Sequence, residues 1–524
     1  MYDLLIKNVR IIDGTGSPWY RGDVAVRNGK IADIGKINDS EAKDIVNGND
    51  HYLSPGFIDI HSHSDTSILD YPFAESKLFQ GVTTEIGGDC GMSAAPVSHD
   101  PSKKIMLKDY LGELPFTWNS FGEYLDTVEN ICPSINFGSA VGQGTIRIAA
   151  MGFDNRVPTI DEMTEMKALL AESLEDGAFC LSSGLIYPPG CYSDTNELSE
   201  LCKTLKDYNS FYETHMRNEG CNVEEALKEA IEISYRSGAP LQVAHHKITD
   251  RTKWEVACRK TIAMIDKARK EGVEIMADQY PYIATSTSLD SNVSLWAFEG
   301  GMSAMLDRLK NPETRAILKK EAKESHKGRW HTIYVSYAES EKNQWVIGKN
   351  IVEIAEARGV DPEDACFDLI LEEKGRVNEV NYGMCEEDVE YIMKKPYVMI
   401  GSDGQSVSLD YPGQPHPRYF GTFPRVLAHY CRDRKLFPLE EAVRKMTSLP
   451  ATRLKLNSRG IIRTGMQADL VLFDFDRIND NPDYQHPKKT CDGIEKVYVN
   501  GVLTIDNGKH TGARAGHVLR REKE

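Results

Sequence analysis

The chain opens with short runs in which apolar and polar residues alternate, "DLLIKNVRII" and "DVAVRNGKIADIG", with Gly, Asp and Asn between them. A period of two puts alternate side chains on one face, so these runs predict β-strands joined by tight turns. The same texture returns near the other end in "ADLVLFDFD" and "IEKVYVNGVLTIDNGK". Together the two ends predict one small β-sandwich domain, residues 1–54 with 459–524.

Between the ends the pattern changes. Apolar, strand-like runs recur at residues 57–61, 82–86, 136–141, 178–182, 211–215, 241–245, 274–279 and 397–401, each followed by a helical stretch. Several starts lie about thirty residues apart, near the length of a βαβ unit, so the pattern predicts an α/β fold built on an eight-stranded parallel (β/α)8 TIM-like barrel. The gap from 274 to 397 is too long for one unit. It predicts a small α+β insertion over residues 285–346, before the eighth strand, with the barrel running 55–284 and resuming over 347–458.

Composition narrows the partner. Lys plus Arg number 62 against 79 Asp plus Glu, a formal charge of −17. Such a surface repels phosphate backbones, and no local basic patch compensates, so nothing points to nucleic acid. No apolar run has the length of a membrane span. Eleven cysteines, scattered without framework spacing, suit reduced thiols, and the start lacks a signal-peptide pattern; a soluble, cytoplasmic protein is the expectation.

The candidate chemistry sits at strand ends. In "SPGFIDIHSHSD" His61 and His63 are two apart, so they emerge on the same side at the end of a parallel strand, where a barrel keeps its active site. Cys90 follows the second strand in "TEIGGDCGMS", His215 ends "FYETH", His245 ends "LQVAH", and Asp403 follows the eighth strand in "IGSDG". Any one of these alone reads as a core thiol, a satisfied histidine or a turn aspartate. Five strand ends offering metal ligands in one register read as a divalent metal site. A zinc held there brings a bound water from a pKa of about 15.7 towards 7 and polarises an acyl carbonyl, so amide hydrolysis is the chemistry these residues suit. A carboxylate beside that water, as Asp403 would be, can accept its proton as general base and return it to the departing amine as general acid.

These features together resemble the amidohydrolase superfamily. The segments "GVTTEIGGDCGMSAAPV", "SSGLIYPPG", "THMRNE", "VAHHK", "DQYPYIATSTSL" and "PHPRYFGTFPRVL" resemble its N-acyl-D-amino-acid deacylase (D-aminoacylase) branch, over nearly the whole chain. The resemblance implies zinc-dependent hydrolysis of N-acyl-D-amino acids to a carboxylate and a free D-amino acid. It implies that Cys90, with His215 and His245, holds one tight Zn2+, and that His61, His63 and Asp403 form a second, weakly or partly filled position; one or two metals stays open. In this branch the cysteine replaces a carboxylated lysine, and the fourth-strand segment "GAFCLSSGL" has no lysine. The resemblance further places Lys247, Tyr280, Ser286 and Arg418 on the substrate's α-carboxylate and Tyr187 on its scissile carbonyl, with His416 and Arg217 as outlying candidates. The partner is then a small molecule, and nothing in the sequence speaks to oligomeric state.

Two departures stand out. Gln143 in "SAVGQGTIR" occupies a place where relatives have a histidine, which predicts a non-titrating group near the mouth, and the loop from Asp403 to Arg418 is longer than usual. No Lys or Arg lies between Glu271 and Asp307, so neutral or apolar substrate side chains are expected over acidic ones. Two rivals are a cyclic-amide hydrolase of the hydantoinase or dihydroorotase kind, opposed by Cys90 and the missing lysine, and a non-catalytic barrel scaffold, opposed by the intact ligand set.

Overall fold

The computed structural model describes residues 1–112 and 114–522. Both chain ends contribute to one nine-stranded sheet. Strands Tyr2–Ile11, Tyr20–Arg27, Lys30–Gly35, Ala42–Asn47 and Tyr52–Pro55 come from the front, and Leu470–Phe473, Ile494–Val499, Val502–Asp506 and Lys509–His510 from the back. The halves join where Leu470–Phe473 runs antiparallel to Tyr52–Pro55, Val471 opposite Ser54. Its tight hairpins are Asn-Gly turns: Asn28–Gly29, Asn500–Gly501 and Asn507–Gly508 all have positive φ, which the twist of a two-residue hairpin demands and Asn-Gly tolerates. Ile6, Val9, Ile11, Val24, Leu53, Leu470 and Leu472 close on one another beneath it.

The middle of the chain forms parallel sheets. Six strands, Val141–Gly142, Cys180–Gly184, Phe211–His215, Leu241–Val243, Ile275–Gln279 and Val398–Ile400, pair side by side, and Phe57–Asp59, Val82–Gly87 and Asn136–Ser139 form a second group. Backbone bonds link the groups at both edges: Ala140 N donates to Gly87 O (2.8 Å) and Phe179 N to Ser139 O (3.0 Å), while Asp403 N donates to His61 O and His63 N to Gly404 O, both 2.9 Å. Helices cross between the strands. Ile160–Asp176 starts with a reciprocal Thr159–Glu162 cap and stops at Gly177, φ 117°. Val223–Ser237 buries Val223, Leu227, Ala230 and Ile233, a stripe at helical spacing that packs on the sheet. Ile58, Ile86, Phe179, Phe211 and Met399 form a separate cluster with Leu449 and Leu454.

The excursion before the last parallel strand is longer than its sequence texture suggests. Strands Thr285–Ser288, Ile333–Ala338 and Val377–Asn381 make one antiparallel sheet. Leu289, Phe298, Leu318, Trp330, Ile354, Phe367 and Val377 share its separate core. The unit therefore runs to Asn381 and not to residue 346, because helices Ile351–Arg358 and Pro362–Glu372 pack within it. The tail also departs from the end-domain expectation. Phe137 N donates to His517 O (2.9 Å) and Leu519 N to Phe137 O (2.6 Å), so the chain returns to the parallel strands after its last β-segment.

Candidate functional site

Each predicted ligand stands just past the carboxyl end of a parallel strand or at its last residue, and the close approach depends on backbone that few side chains allow. Cys90, His245 and Asp403 all have positive φ, at 52°, 30° and 50°. Such conformations cost roughly 1–3 kcal/mol each in a residue with a Cβ, and they aim three side chains at one point. Glycines make room for this: a Cβ on Gly184 would lie 2.1 Å from Cys90 O, and one on Gly401 would lie 2.7 Å from His61 Cβ.

Cys90 Sγ lies between His61 Nε2 (3.4 Å) and His245 Nε2 (3.3 Å). Asp403 Oδ1 is 3.0 Å from His63 Nε2 and 3.7 Å from His61 Nε2. Two overlapping sets of donor atoms result, His61–Cys90–His245 and His61–His63–Asp403, each with its ligand atoms within 4.8 Å of one another. The His215 ring packs edge-on to His245, centroids 4.4 Å apart. His61 is thus shared between these two sets, Cys90 contacts His61 and His245, and His215 joins Glu219 and His245 in a third set.

The donors fit a soft divalent metal such as zinc: one thiol, imidazoles and a carboxylate. Both ring nitrogens of His215 are buried without a hydrogen bond, although Nε2 is 3.3 Å from Glu219 Oε2 in an unfavourable orientation. Burial pushes the Cys90 thiol well up, and Asp403, Glu213 and Asp89 add to this, so without a cation the group holds its proton. Burial opposes charge on His61, but Asp278, Glu213 and Asp403 outweigh it and bring its pKa to about 9. Burial and Lys247 lower His245 to about 3. Burial works against ionisation of Asp403 too, yet Arg418 and the histidines hold its carboxyl well below the usual carboxylate range.

Behind the ligands lie residues the sequence did not single out. Glu219 Oε1 lies 3.1 Å from His245 Nδ1 and 2.8 Å from Lys247 Nζ. Asp278 Oδ1 lies 3.1 Å from His61 Nδ1 and accepts from His245 N at 2.8 Å. These carboxylates orient the imidazoles so that Nε2 faces the cluster. Asp278, one position before the end of an inward-alternating strand, carried a readable signal; Glu219, four residues past His215 in a loop, did not. Lower still, fully buried Lys77 donates to Asp59 Oδ2 and Ser402 Oγ, each at 2.7 Å. Asp59 Oδ1 in turn accepts Ser402 N at 2.8 Å, strapping the first parallel strand to the last beside Asp403.

A cavity of about 1050 Å³ opens above the cluster, between the parallel strand ends and the insertion. Lys247, Tyr187, Tyr280, Ser286 and Arg418 all line it. Arg418 Nη1 lies 2.8 Å from Asp403 Oδ2, and its guanidinium sits 4.9 Å over the Tyr280 ring. Lys247 is ion-paired with Glu219, so its charge is partly met within the protein. Tyr187 Oη is 3.0 Å from Thr287 Oγ1, and the Ser286 hydroxyl donates to Glu379 O.

Three expectations fail. Gln143 is fully buried, donating to Ser193 Oγ at 2.8 Å, and does not reach the cavity, because its helix starts beneath the Tyr187 loop. Arg217 pairs with Glu229 (2.8 Å) and caps the carbonyls of Cys191 and Ser193, and His416 is buried against Ala284 O (3.0 Å); neither lines the cavity. The cation-free stretch before Asp307 does not make a cation-free cavity, since Arg251, Lys327, Arg329 and Lys374 reach its wall from other segments.

Comparison with known proteins follows the same lines. The sequence model of the amidohydrolase family matches residues 44–505. The chain is 34% identical over 521 residues to the D-aminoacylase of Alcaligenes xylosoxydans xylosoxydans, covering 99% of this chain and 98% of that one. It is 32% identical over 520 residues to the N-acyl-D-glutamate deacylase of the same organism, covering 99% and 97%. Among solved structures, the N-acyl-D-glutamate deacylase of Bordetella bronchiseptica, complexed with zinc and a phosphonate mimic of the tetrahedral intermediate, superposes with a TM-score of 0.85 at 32% identity over 99% of both chains.

Proposed function

The chain belongs to the amidohydrolase family, and from that premise we propose that it is a zinc-dependent deacylase hydrolysing N-acyl-D-amino acids to a carboxylate and a free D-amino acid. The observation that carries this reading is the convergence of Cys90, His61, His63, His245 and Asp403, with His215 packed on His245, at the floor of a cavity also lined by Arg418 and Lys247. We read the two linked parallel sheets as one (β/α)8 barrel and the end-domain as a sandwich beside it.

Cys90, His215 and His245 would hold one zinc, with His61, His63 and Asp403 offering a second position that shares the Cys90 neighbourhood. Zinc, when bound, supplies Lewis acidity that polarises the acyl carbonyl and makes a coordinated water more acidic. Asp403 takes the proton of the attacking water and returns it to the departing nitrogen, which needs a carboxylate within reach of both atoms. Arg418 now meets Asp403 through Nη1 alone and sends Nη2 to Ser286 O at 3.2 Å, so a substrate α-carboxylate would compete with Asp403 for its guanidinium, with Lys247 adding a point charge beside it. Tyr280, under the Arg418 guanidinium, and Ser286 shape the carboxylate end, while the Tyr187 hydroxyl faces the scissile carbonyl. A thiol ligand works only while reduced, which suits a cytoplasmic enzyme.

The test is direct. Asp403→Asn is expected to lower kcat on an N-acetyl-D-amino acid by about 100-fold or more with the first zinc retained. Full activity in that variant removes Asp403 as the base, and full zinc content in Cys90→Ala overturns the ligand assignment.

A further inference from the structure

The far wall of the cavity is built by the insertion. Thr287 and Glu379 stand directly opposite on the antiparallel strands Thr285–Ser288 and Val377–Asn381, so their side chains share one face. Thr287 reaches the Tyr187 hydroxyl at 3.0 Å, and the Ser286 hydroxyl donates to the Glu379 carbonyl at 2.8 Å. Glu379 therefore stands next to the end of the cavity that receives the reacting part of the substrate. Asp290 lines the same cavity two residues beyond that strand.

Both acids are buried, Glu379 at 2% and Asp290 at 8% exposure. The Asn292 amide donates to Glu379 Oε2 at 2.5 Å, while no hydrogen bond reaches Oε1 among the described residues. Among those residues, no Lys, Arg or His nitrogen lies within 4.0 Å of either carboxyl. Four basic residues of the cavity have their contacts away from these acids: Lys247 with Glu219, Arg418 with Asp403, Arg251 with Tyr382 O at 2.9 Å and Arg329 with Ser325 O at 3.3 Å; Lys327 and Lys374 also line the wall. Burial brings Glu379 to about 8 and Asp290 to about 6, so the free protein carries acids that lack a counter-ion. A ligand cation seated there would favour the ionised carboxylates that burial otherwise disfavours.

We propose that Glu379 and Asp290 form a subsite for a positively charged substrate side chain, so that the preferred substrates are N-acyl derivatives of basic D-amino acids such as D-lysine and D-arginine. The inference rests on the deacylase reading. An organic cation fits better than a metal ion, because Asn292 presents its amide nitrogen to Glu379 and commits its oxygen to His326 Nε2 at 2.7 Å. A lysyl ammonium brings three donors on a flexible four-carbon stem. Leu295, Phe298 and Val293 line the cavity as apolar surface for such a stem. This departs from the neutral or apolar preference read from the sequence and agrees with it in disfavouring acidic side chains.

The experiment measures kcat/KM of the zinc-loaded full chain on N-acetyl-D-lysine, N-acetyl-D-leucine and N-acetyl-D-glutamate. D-lysine is expected to lead by about 10-fold or more, and the lysine-to-leucine ratio is expected to fall by about 10-fold in Glu379→Gln and in Asp290→Asn, mainly through KM. A ratio near one, or a preference that survives the double variant, overturns the subsite. If none of the three is hydrolysed, the deacylase reading fails separately. Calorimetric binding of free D-lysine then decides the subsite: binding that weakens in Glu379→Gln keeps it, and the absence of binding overturns it.

Discussion

Glu379 links stability to function at the level of one side chain. Its carboxyl ionises near 4.5 in an unfolded chain and near 8 in the fold, because burial favours the neutral form. Between those values the folded protein holds a proton that the unfolded chain has released. The stability it allows is whole below about pH 4.5 and declines as pH rises through about 8. Glu379→Gln cannot ionise and is expected to melt higher than the parent by a few degrees at about pH 9, with little difference at about pH 4.5. Equal melting temperatures at the higher pH would show that the carboxyl is already compensated. Residue-scale signals were unevenly legible. His61, His63, Cys90, His215, His245 and Asp403 announced themselves because each ends a strand, whereas Glu219 and Glu379 lie on a loop and an insertion strand whose partners are brought up only by the fold.

Among the elements, the first and last parallel strands are held together by a charged strap as well as by backbone. Lys77, with no exposed surface, serves Asp59 and Ser402 at once, and Glu85, bonded by Ser64 and Ser406, lies 3.8 Å from it. Lys77→Met would leave two buried carboxyls without their cation, at a cost of about 3–5 kcal/mol. The expected result is a lower midpoint in urea, with part of the loss recovered by adding Asp59→Asn; an unchanged midpoint would contradict the strap. The strands themselves were readable from apolar runs bounded by turns, and Asn-Gly pairs marked the hairpins of the end-domain. The insertion's true end was not, because the helices from Ile351 to Glu372 follow one another in sequence like helices that cross between parallel strands, and only the packing of Ile354 and Phe367 with Leu318, Trp330 and Val377 assigns them.

Across the whole molecule, two units meet at the cavity: the parallel strand ends supply its floor and the insertion a wall, while the end-domain braces the strands through contacts such as Asn136 Nδ2 to Asp469 at 3.3 Å. The net charge of −17 gave no hint of the cations gathered there, since Lys247 and Arg418 come from distant segments. The most direct measurement is turnover of an N-acetyl-D-amino acid and its L enantiomer by metal-stripped protein titrated with zinc. The expected result is activity that appears with zinc and saturates at one or two equivalents, with the D form favoured by about 100-fold or more. Full activity in the stripped protein, or equal turnover of the two enantiomers, would contradict it.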